Sequence, residues 1–140
     1  PIADAVKGIT DGHLWLDRSL ANRGQFPAMH ILQSISRVRT YCTVSEQTSS
    51  VQRVQQLIAS YAELEDLVNI GAYAFGANPI GDLAVKMQPK ILEFLRQATD
   101  RRVTFSEAKV QLIDLVSTID REAKTLEQQT RQSAQAPRKK

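Results

Sequence analysis

The stretch VQRVQQLIASYAELEDLV (residues 51–68) decides the fold. Its apolar side chains recur at steps of three and four residues, which is the spacing of one face of an α-helix. They are Val51, Val54, Leu57, Ile58, Tyr61, Leu64 and Val68. The pattern predicts a helix of about 25 residues that ends near Gly71.

Three further helices are predicted after the glycine- and proline-rich turn GAYAFGANPIGD (71–82). A short helix is expected from about Ile80 to Met87, and Pro89 should begin a separate one, because proline disfavours helix at the preceding residue. The capping-box sequence TFSE (104–107) opens a last helix. The apolar positions of that helix are Val110, Leu112, Ile113, Leu115, Val116, Ile119 and Leu126.

The first 40 or so residues have a mixed character. PIADAVKGI (1–9) can form a short helix, and HLWLD (13–17) is typical of a short, largely buried strand. RSLANRG (18–24) is helical, with Gly24 placed to end it as a C-cap. QFPAMHILQSISRV (25–38) fits neither a regular helix nor an alternating strand. The sequence therefore predicts a mainly α chain, a small helical bundle packed against a short α/β piece.

The charge is distributed unevenly along the chain. The 140 residues carry a net charge of +3, with 42% hydrophobic and 24% charged residues, which is ordinary for a globular protein. Residues 121–140 hold six basic and two acidic side chains, whereas the rest of the chain holds 12 basic and 13 acidic ones. A neutral body with a basic end does not form a nucleic-acid groove, so no nucleic-acid partner is expected. No apolar run reaches the roughly 18 residues of a membrane-spanning helix.

No complete active site is evident in the chain. Gly76 to Gly81 has the glycine spacing of a phosphate-binding loop, but Asp82 stands where the lysine should be and would repel phosphate. His13 and His30 lack ligands at metal-binding spacing, so no metal site is predicted. The acidic residues Glu63, Glu65 and Asp66 are interpreted as a solvated helix face. Cys42 is the single cysteine, which fits a reducing compartment.

Two long segments resemble one known family. Residues 1–38, PIADAVKGITDGHLWLDRSLANRGQFPAMHILQSISRV, closely resemble the segment of flagellar and type III secretion export ATPases that reads roughly PIADAVRGILDGHIVLSR…L…G.YPAIDVL.SISRV. Residues 57–97, LIASYAELEDLVNIGAYAFGANPIGDLAVKMQPKILEFLRQ, resemble that family's LL..Y.E.EDLI.IGAY..GSDP.LD.AI…P.I..FL.Q. The family is related to the catalytic subunits of the rotary F-type and V-type ATPases.

The resemblance implies a domain organisation. Residues 1–42 would be the C-terminal end of a RecA-like nucleotide-binding domain, 43–129 a helical C-terminal domain, and 130–140 a basic disordered tail. The family's phosphate-binding loop and magnesium-binding acid would lie upstream of Pro1. The full-length parent would therefore bind ATP and Mg²⁺. This fragment is expected to bind neither cofactor and to be inactive alone.

The resemblance also assigns roles to single residues. Phe26 takes the place of an adenine-stacking tyrosine, and its π-face would keep that stacking. Arg37, in SISRV, matches an arginine finger that acts on the γ-phosphate of a neighbouring subunit. Arg18 is expected to form a structural ion pair, and His30 departs from the family's aspartate. The residues of the turn expected to bind the central stalk are Tyr73, Asn78, Pro79 and Asp82.

The expected function is energising protein export through a flagellar or type III secretion apparatus. The resemblance implies that the parent forms a hexameric ring and contacts a coiled-coil stalk protein and other components of the apparatus. It would be cytoplasmic, with only peripheral association at the inner membrane. Two alternatives stay open from the residues alone. One is a stand-alone helical module that binds a secretion chaperone, coiled coil or regulator, and the other is a non-catalytic rotary subunit.

Overall fold

The computed structural model describes residues 2–135, which form a helical bundle and a small α/β piece. In chain order the elements are α1 (Ile2–Ile9), β1 (Gly12–His13), α2 (Arg18–Asn22), β2 (Ile35–Ser36), α3 (Arg39–Cys42), α4 (Ser45–Asn69), α5 (Pro79–Leu95) and α6 (Phe105–Gln135). The fold class predicted from the sequence is confirmed. No helix in the described range is long and apolar enough to span a bilayer.

The bundle core lies where α4, α5 and α6 meet. Leu57 of α4 and Ile119 of α6 are fully buried, and Met87 and Ile91 of α5 are each 1% exposed. The buried hydrophobic residues of this core are Val54, Leu57, Leu83, Ala84, Met87, Ile91, Leu112, Leu115 and Ile119. The predicted 25-residue helix is confirmed as α4, with its apolar positions facing α5 and α6.

Helix α5 contradicts the predicted break at Pro89. It runs unbroken from Pro79 to Leu95 and contains that proline. An interior proline costs a helix about 3 kcal/mol or more. Met87 and Ile91 flank it and are almost wholly buried, and burying one such side chain contributes about 1.5–3 kcal/mol. The burial of Met87 and Ile91 together outweighs the cost of an interior Pro89, so α5 stays continuous across the bundle.

Helix α6 begins as the sequence predicts and is long. The Thr104 N–H donates to Glu107 Oε2 at 2.7 Å, and the Glu107 N–H donates to Thr104 Oγ1 at 3.2 Å, which is the reciprocal pattern of a capping box. The helix continues to Gln135, beyond residue 130 where the basic tail was predicted to begin. The remaining residues of that predicted tail, 136–140, lie outside the described residues.

The α/β piece contains much less strand than predicted. β1 and β2 pair antiparallel over two residues each, with Gly12 opposite Ser36. A Cβ on Gly12 would lie 2.7 Å from the Ile35 carbonyl oxygen, so this close approach requires glycine. HLWLD does not form a buried strand, because its partner segment is short. Leu14 and Leu16 are each 70% exposed, and the latter makes only an isolated bridge to Met29.

Candidate functional site

Arg37 lies directly after β2, at the point where the two-stranded sheet ends. Its backbone N–H donates to the Asp11 carbonyl oxygen at 2.7 Å, which fixes the main chain there. Its side chain is exposed, and no hydrogen bond or ion pair to it occurs among residues 2–135. The structure therefore presents a guanidinium on an anchored backbone, free to meet a charge outside this chain.

Phe26 lies in a loop that follows α2 and is anchored at several backbone positions. Gly24 takes a φ of +70°, the left-handed conformation predicted for a residue that ends a helix. The Gln25 N–H then donates to the Leu20 carbonyl oxygen at 3.0 Å. The Phe26 carbonyl oxygen accepts the N–H of Gln97 at 2.9 Å, which links the loop to the end of α5. The Phe26 ring itself is 55% exposed.

The start of α2 is stabilised by a side-chain cap. Asp17 Oδ1 accepts the Ser19 N–H at 2.7 Å, which is the usual role of an N-cap carboxylate. Hydrogen bonding with Ser19 lowers the pKa of the Asp17 carboxyl below its ordinary value. The loop beyond Phe26 returns alongside this start, where the Asp17 N–H donates to the Ala28 carbonyl oxygen at 2.9 Å. The Phe26 loop is thus anchored on both of its arms.

Phe26 and Arg37 occupy separate segments of the α/β piece. Phe26 belongs to the loop after α2, whereas Arg37 follows β2, and no hydrogen bond joins them within the described range. His30 lies between them in sequence, and its Nδ1 accepts the Gln33 N–H at 3.3 Å. The His30 side chain therefore contributes to the local turn. The predicted adenine contact and the predicted arginine finger thus lie on different segments of the α/β piece.

The turn between α4 and α5 brings together all four predicted stalk-binding residues. Asn78 Oδ1 caps α5 by accepting the Ile80 N–H at 3.2 Å, and Pro79 follows in the first turn. Asp82 is 7% exposed and accepts two hydrogen bonds. The Tyr73 hydroxyl donates to its Oδ1 at 2.7 Å, and the Gly76 N–H donates to its Oδ2 at 2.8 Å.

These contacts give Tyr73 and Asp82 a structural part within the turn. Their polar groups bond to each other, so they shape the turn instead of projecting from it. The projecting side chains are apolar. Ile70 is 75% exposed and Phe75 66% exposed, and the Phe75 ring stands edge-on to Tyr73 at 5.0 Å. Sequence reasoning missed these two residues, although Phe75 lies in the glycine-rich stretch 71–82 that it selected and Ile70 directly precedes that stretch.

A partly buried, hydrogen-bonded tyrosine hydroxyl makes the turn sensitive to alkaline pH. Burial, and then the hydrogen bond to Asp82, raise the pKa of Tyr73 from 10.0 to about 12. Between these values the folded chain keeps a proton that the unfolded chain releases, so stability falls as pH rises. We expect wild type to lose its stability advantage over Tyr73→Phe across this interval, measured by urea unfolding. A difference that stays constant with pH would contradict the assignment.

An ion pair and a cavity lie between the α/β piece and the bundle. Arg23 Nη1 contacts Glu65 Oε1 of α4, so this acid is not part of the solvated face interpreted from the sequence. Beneath the pair is a cavity of about 400 Å³ lined by residues of the Phe26 loop, α4 and α5. The expected ion pair of Arg18 is absent from the described residues, and Arg23 makes one instead. Within 2–135 no cluster of three or more potential metal ligands occurs.

The described residues form a three-helix bundle that follows a small α/β piece, with an exposed arginine directly after the last strand. Residues 43–114 match the family described as the T3SS EscN ATPase C-terminal domain. Residues 1–36 match the ATP synthase alpha/beta family nucleotide-binding domain. The chain belongs to the EscN-type family of flagellar and type III secretion ATPases.

Individual relatives agree with this membership. The flagellum-specific ATP synthase of Bacillus subtilis is 43% identical over 115 residues, which is 82% of this chain and 26% of the relative. The assembled ATPase EscN of enteropathogenic E. coli superposes with a TM-score of 0.78 at 36% identity, over 83% of this chain and 28% of that one. The structure of EscN in complex with its central stalk EscO superposes with a TM-score of 0.77 at 36% identity, over 83% of this chain and 29% of that one. The chain spans about a quarter of the length of these relatives.

Proposed function

We propose that this chain is the C-terminal region of a ring-forming ATPase that energises protein export through a flagellar or type III secretion apparatus. The observation that carries the proposal is the match over 83% of the chain to EscN, which was solved as an assembled ATPase. In this proposal residues 1–42 end the nucleotide-binding domain and 43–129 form the helical domain. The parent is cytoplasmic and peripheral to the inner membrane.

Arg37 supplies the arginine finger in this proposal. Charge builds on the γ-phosphoryl oxygens during transfer, and a planar, always-charged guanidinium stabilises that charge. The exposed side chain and the anchored backbone at Asp11 support the role, because the main chain is fixed while the guanidinium has no partner within the described chain. It would act on nucleotide bound by the adjacent subunit of the ring.

Phe26 supplies the adenine contact. Its exposed ring and its backbone anchor at Gln97 support stacking against a flat base. Phosphates and Mg²⁺ would be held elsewhere in the parent. The glycine-rich turn is an unsuitable cradle, since its acid Asp82 already bonds Tyr73 and Gly76.

Replacing Phe26 tests the adenine contact in the parent ATPase. Phe26→Leu removes the π-face and should raise KM for ATP about three- to tenfold, since an aromatic contact contributes about 0.5–1.5 kcal/mol beyond buried area. Phe26→Tyr is the matched control and should keep KM within about twofold, because the ring face is retained. Steady-state ATP hydrolysis at varied ATP measures both. An unchanged KM in Phe26→Leu would remove this residue from the nucleotide site.

The turn between α4 and α5 would face the central stalk. EscN, which shares this fold, was solved in complex with its stalk EscO. Ile70 and Phe75 would provide the apolar contact, because both project from the turn into solvent. The predicted residues Tyr73, Asn78, Pro79 and Asp82 would contribute mainly by holding the turn in shape.

A further inference from the structure

The Phe26 loop has two polar links to the helical bundle. The first is the ion pair of Arg23, the residue directly after α2, with Glu65 near the end of α4. The second is the hydrogen bond from the Gln97 N–H, just past α5, to the Phe26 carbonyl oxygen at 2.9 Å. The loop is therefore held from two helices of the bundle as well as from its own α/β piece.

Apolar packing alone does not fix this loop against the bundle. The cavity of about 400 Å³ separates the loop from α4 and α5, and its wall includes apolar side chains such as Ile58 and Leu92. Side chains that line a cavity lose the dispersion contacts of a close-packed interface. The polar links therefore contribute to holding the loop against the bundle, and both Arg23 and Glu65 line the cavity.

We propose that Arg23 and Glu65 are positioning residues for the nucleotide contact, acting by holding the Phe26 loop against α4. The inference rests on the proposed function, because it takes Phe26 as the adenine contact. Neither residue touches the nucleotide in this scheme. When the ion pair is intact, the backbone between Arg23 and Phe26 is held at both ends, so the position from which the aromatic ring projects is restrained.

Loss of the Arg23–Glu65 ion pair should change KM for ATP modestly and the turnover number little. The side chains of Arg23 and Glu65 are 62% and 29% exposed, and partly exposed ion pairs are weak. Losing the pair should raise KM for ATP by about two- to fivefold. The turnover number should stay within about twofold, because Arg37 lies on another segment and keeps its anchor at Asp11.

Hydrogen exchange in this chain tests the link without any ATPase. In Glu65→Ala and Arg23→Ala the Gln97 amide should exchange about two- to fivefold faster, because its acceptor at Phe26 is less restrained. The amides of Leu57 and Ile91 in the core should not change, which excludes a general loss of stability. Glu63→Ala is the matched control, as this acid is exposed on the same helix. The reversed pair Arg23→Glu/Glu65→Arg should restore slow exchange.

The same variants in the parent ATPase separate failure of the inference from failure of the proposed function. Raised KM in both single variants, with recovery in the reversed pair, supports positioning. Unchanged exchange at Gln97 in Glu65→Ala would overturn the inference directly. Faster exchange with unchanged KM, where Phe26→Leu does raise KM, would overturn positioning but keep the adenine contact. If Phe26→Leu also leaves KM unchanged, the proposed role of Phe26 is wrong and the inference falls with it.

Discussion

Replacing Arg37 with alanine in the parent ATPase should lower turnover by about 10³-fold, the lower end of what arginine fingers contribute. The physical reason is the loss of a fixed positive charge where negative charge builds on the γ-phosphoryl oxygens. KM for ATP should change little, because the interaction is made mainly in the transition state. Steady-state hydrolysis by the assembled ring measures both constants.

The structure predicts that this loss will not come from misfolding. The Arg37 side chain is exposed, and the backbone N–H that bonds the Asp11 carbonyl oxygen is still present in alanine. Arg37→Lys should recover little activity, because an ammonium lacks the planar fork of the guanidinium. Arg102→Ala is the matched control, since that arginine is also exposed, and its turnover should stay near wild type.

Mixed rings test whether the arginine acts on a neighbouring subunit. Subunits carrying Arg37→Ala keep their own phosphate-binding residues, and subunits that lack the phosphate-loop lysine keep Arg37. Mixing the two inactive proteins should restore part of the activity, because some interfaces then combine an intact loop with an intact arginine. Absence of any recovery in rings that assemble normally would exclude action in trans. Near-normal turnover of the Arg37→Ala ring would exclude the assignment altogether.

The long helices could be predicted from the sequence because their signals are local. The three- and four-residue spacing around Leu57 marks one face of α4, and a single capping box fixes the start of α6 at Thr104. Both signals depend on residues within a turn or two of each other. The predicted break at Pro89 was wrong because the deciding contacts are distant in sequence. Its local preference is for a break, and only the burial of its neighbours in the assembled core keeps α5 continuous.

The candidate site could be predicted from the sequence much less well than the long helices. A phenylalanine before proline and an arginine after serine are common, so the roles of Phe26 and Arg37 came from the family resemblance and not from spacing. The pairing of Arg23 with Glu65 spans 42 residues of sequence. Nothing on α4 distinguishes Glu65 from its acidic neighbours, because its partner is identified only when the loop after α2 folds against the bundle.

The structural role of Asp82 was likewise not visible in the sequence. In the sequence it is the residue that disqualifies a phosphate-binding loop. In the structure it is the buried acceptor for Tyr73 and Gly76. Asp82→Ala should lower the free energy of unfolding of this chain by about 3 kcal/mol, because two partly buried donors lose their acceptor together and each such loss costs up to about 1–3 kcal/mol. Urea titration followed by circular dichroism measures the change.

Variants of Tyr73 and Asp82 separate the contributions of the two hydrogen bonds to the free energy of unfolding. Tyr73→Phe removes one donor and leaves the bond to Gly76, so it should cost about 1 kcal/mol. Asp82→Asn keeps one oxygen acceptor but turns an amide N–H₂ toward one of the two donors. Its cost should fall between those of Tyr73→Phe and Asp82→Ala. Asp114→Ala, at an exposed position on α6, is the matched control and should change stability by no more than about 0.5 kcal/mol.

A double-mutant cycle decides whether Tyr73 and Asp82 act as a unit. If they do, Tyr73→Phe combined with Asp82→Ala will cost less than the sum of the single changes, because the second change removes a group already without its partner. Simple additivity would show that the Tyr73 hydroxyl does not act through Asp82, which would leave packing of the ring against Phe75 and Gly81 to hold the tyrosine. A loss below about 1 kcal/mol in Asp82→Ala would mean that water replaces the carboxylate, so the shape of the turn would not depend on it.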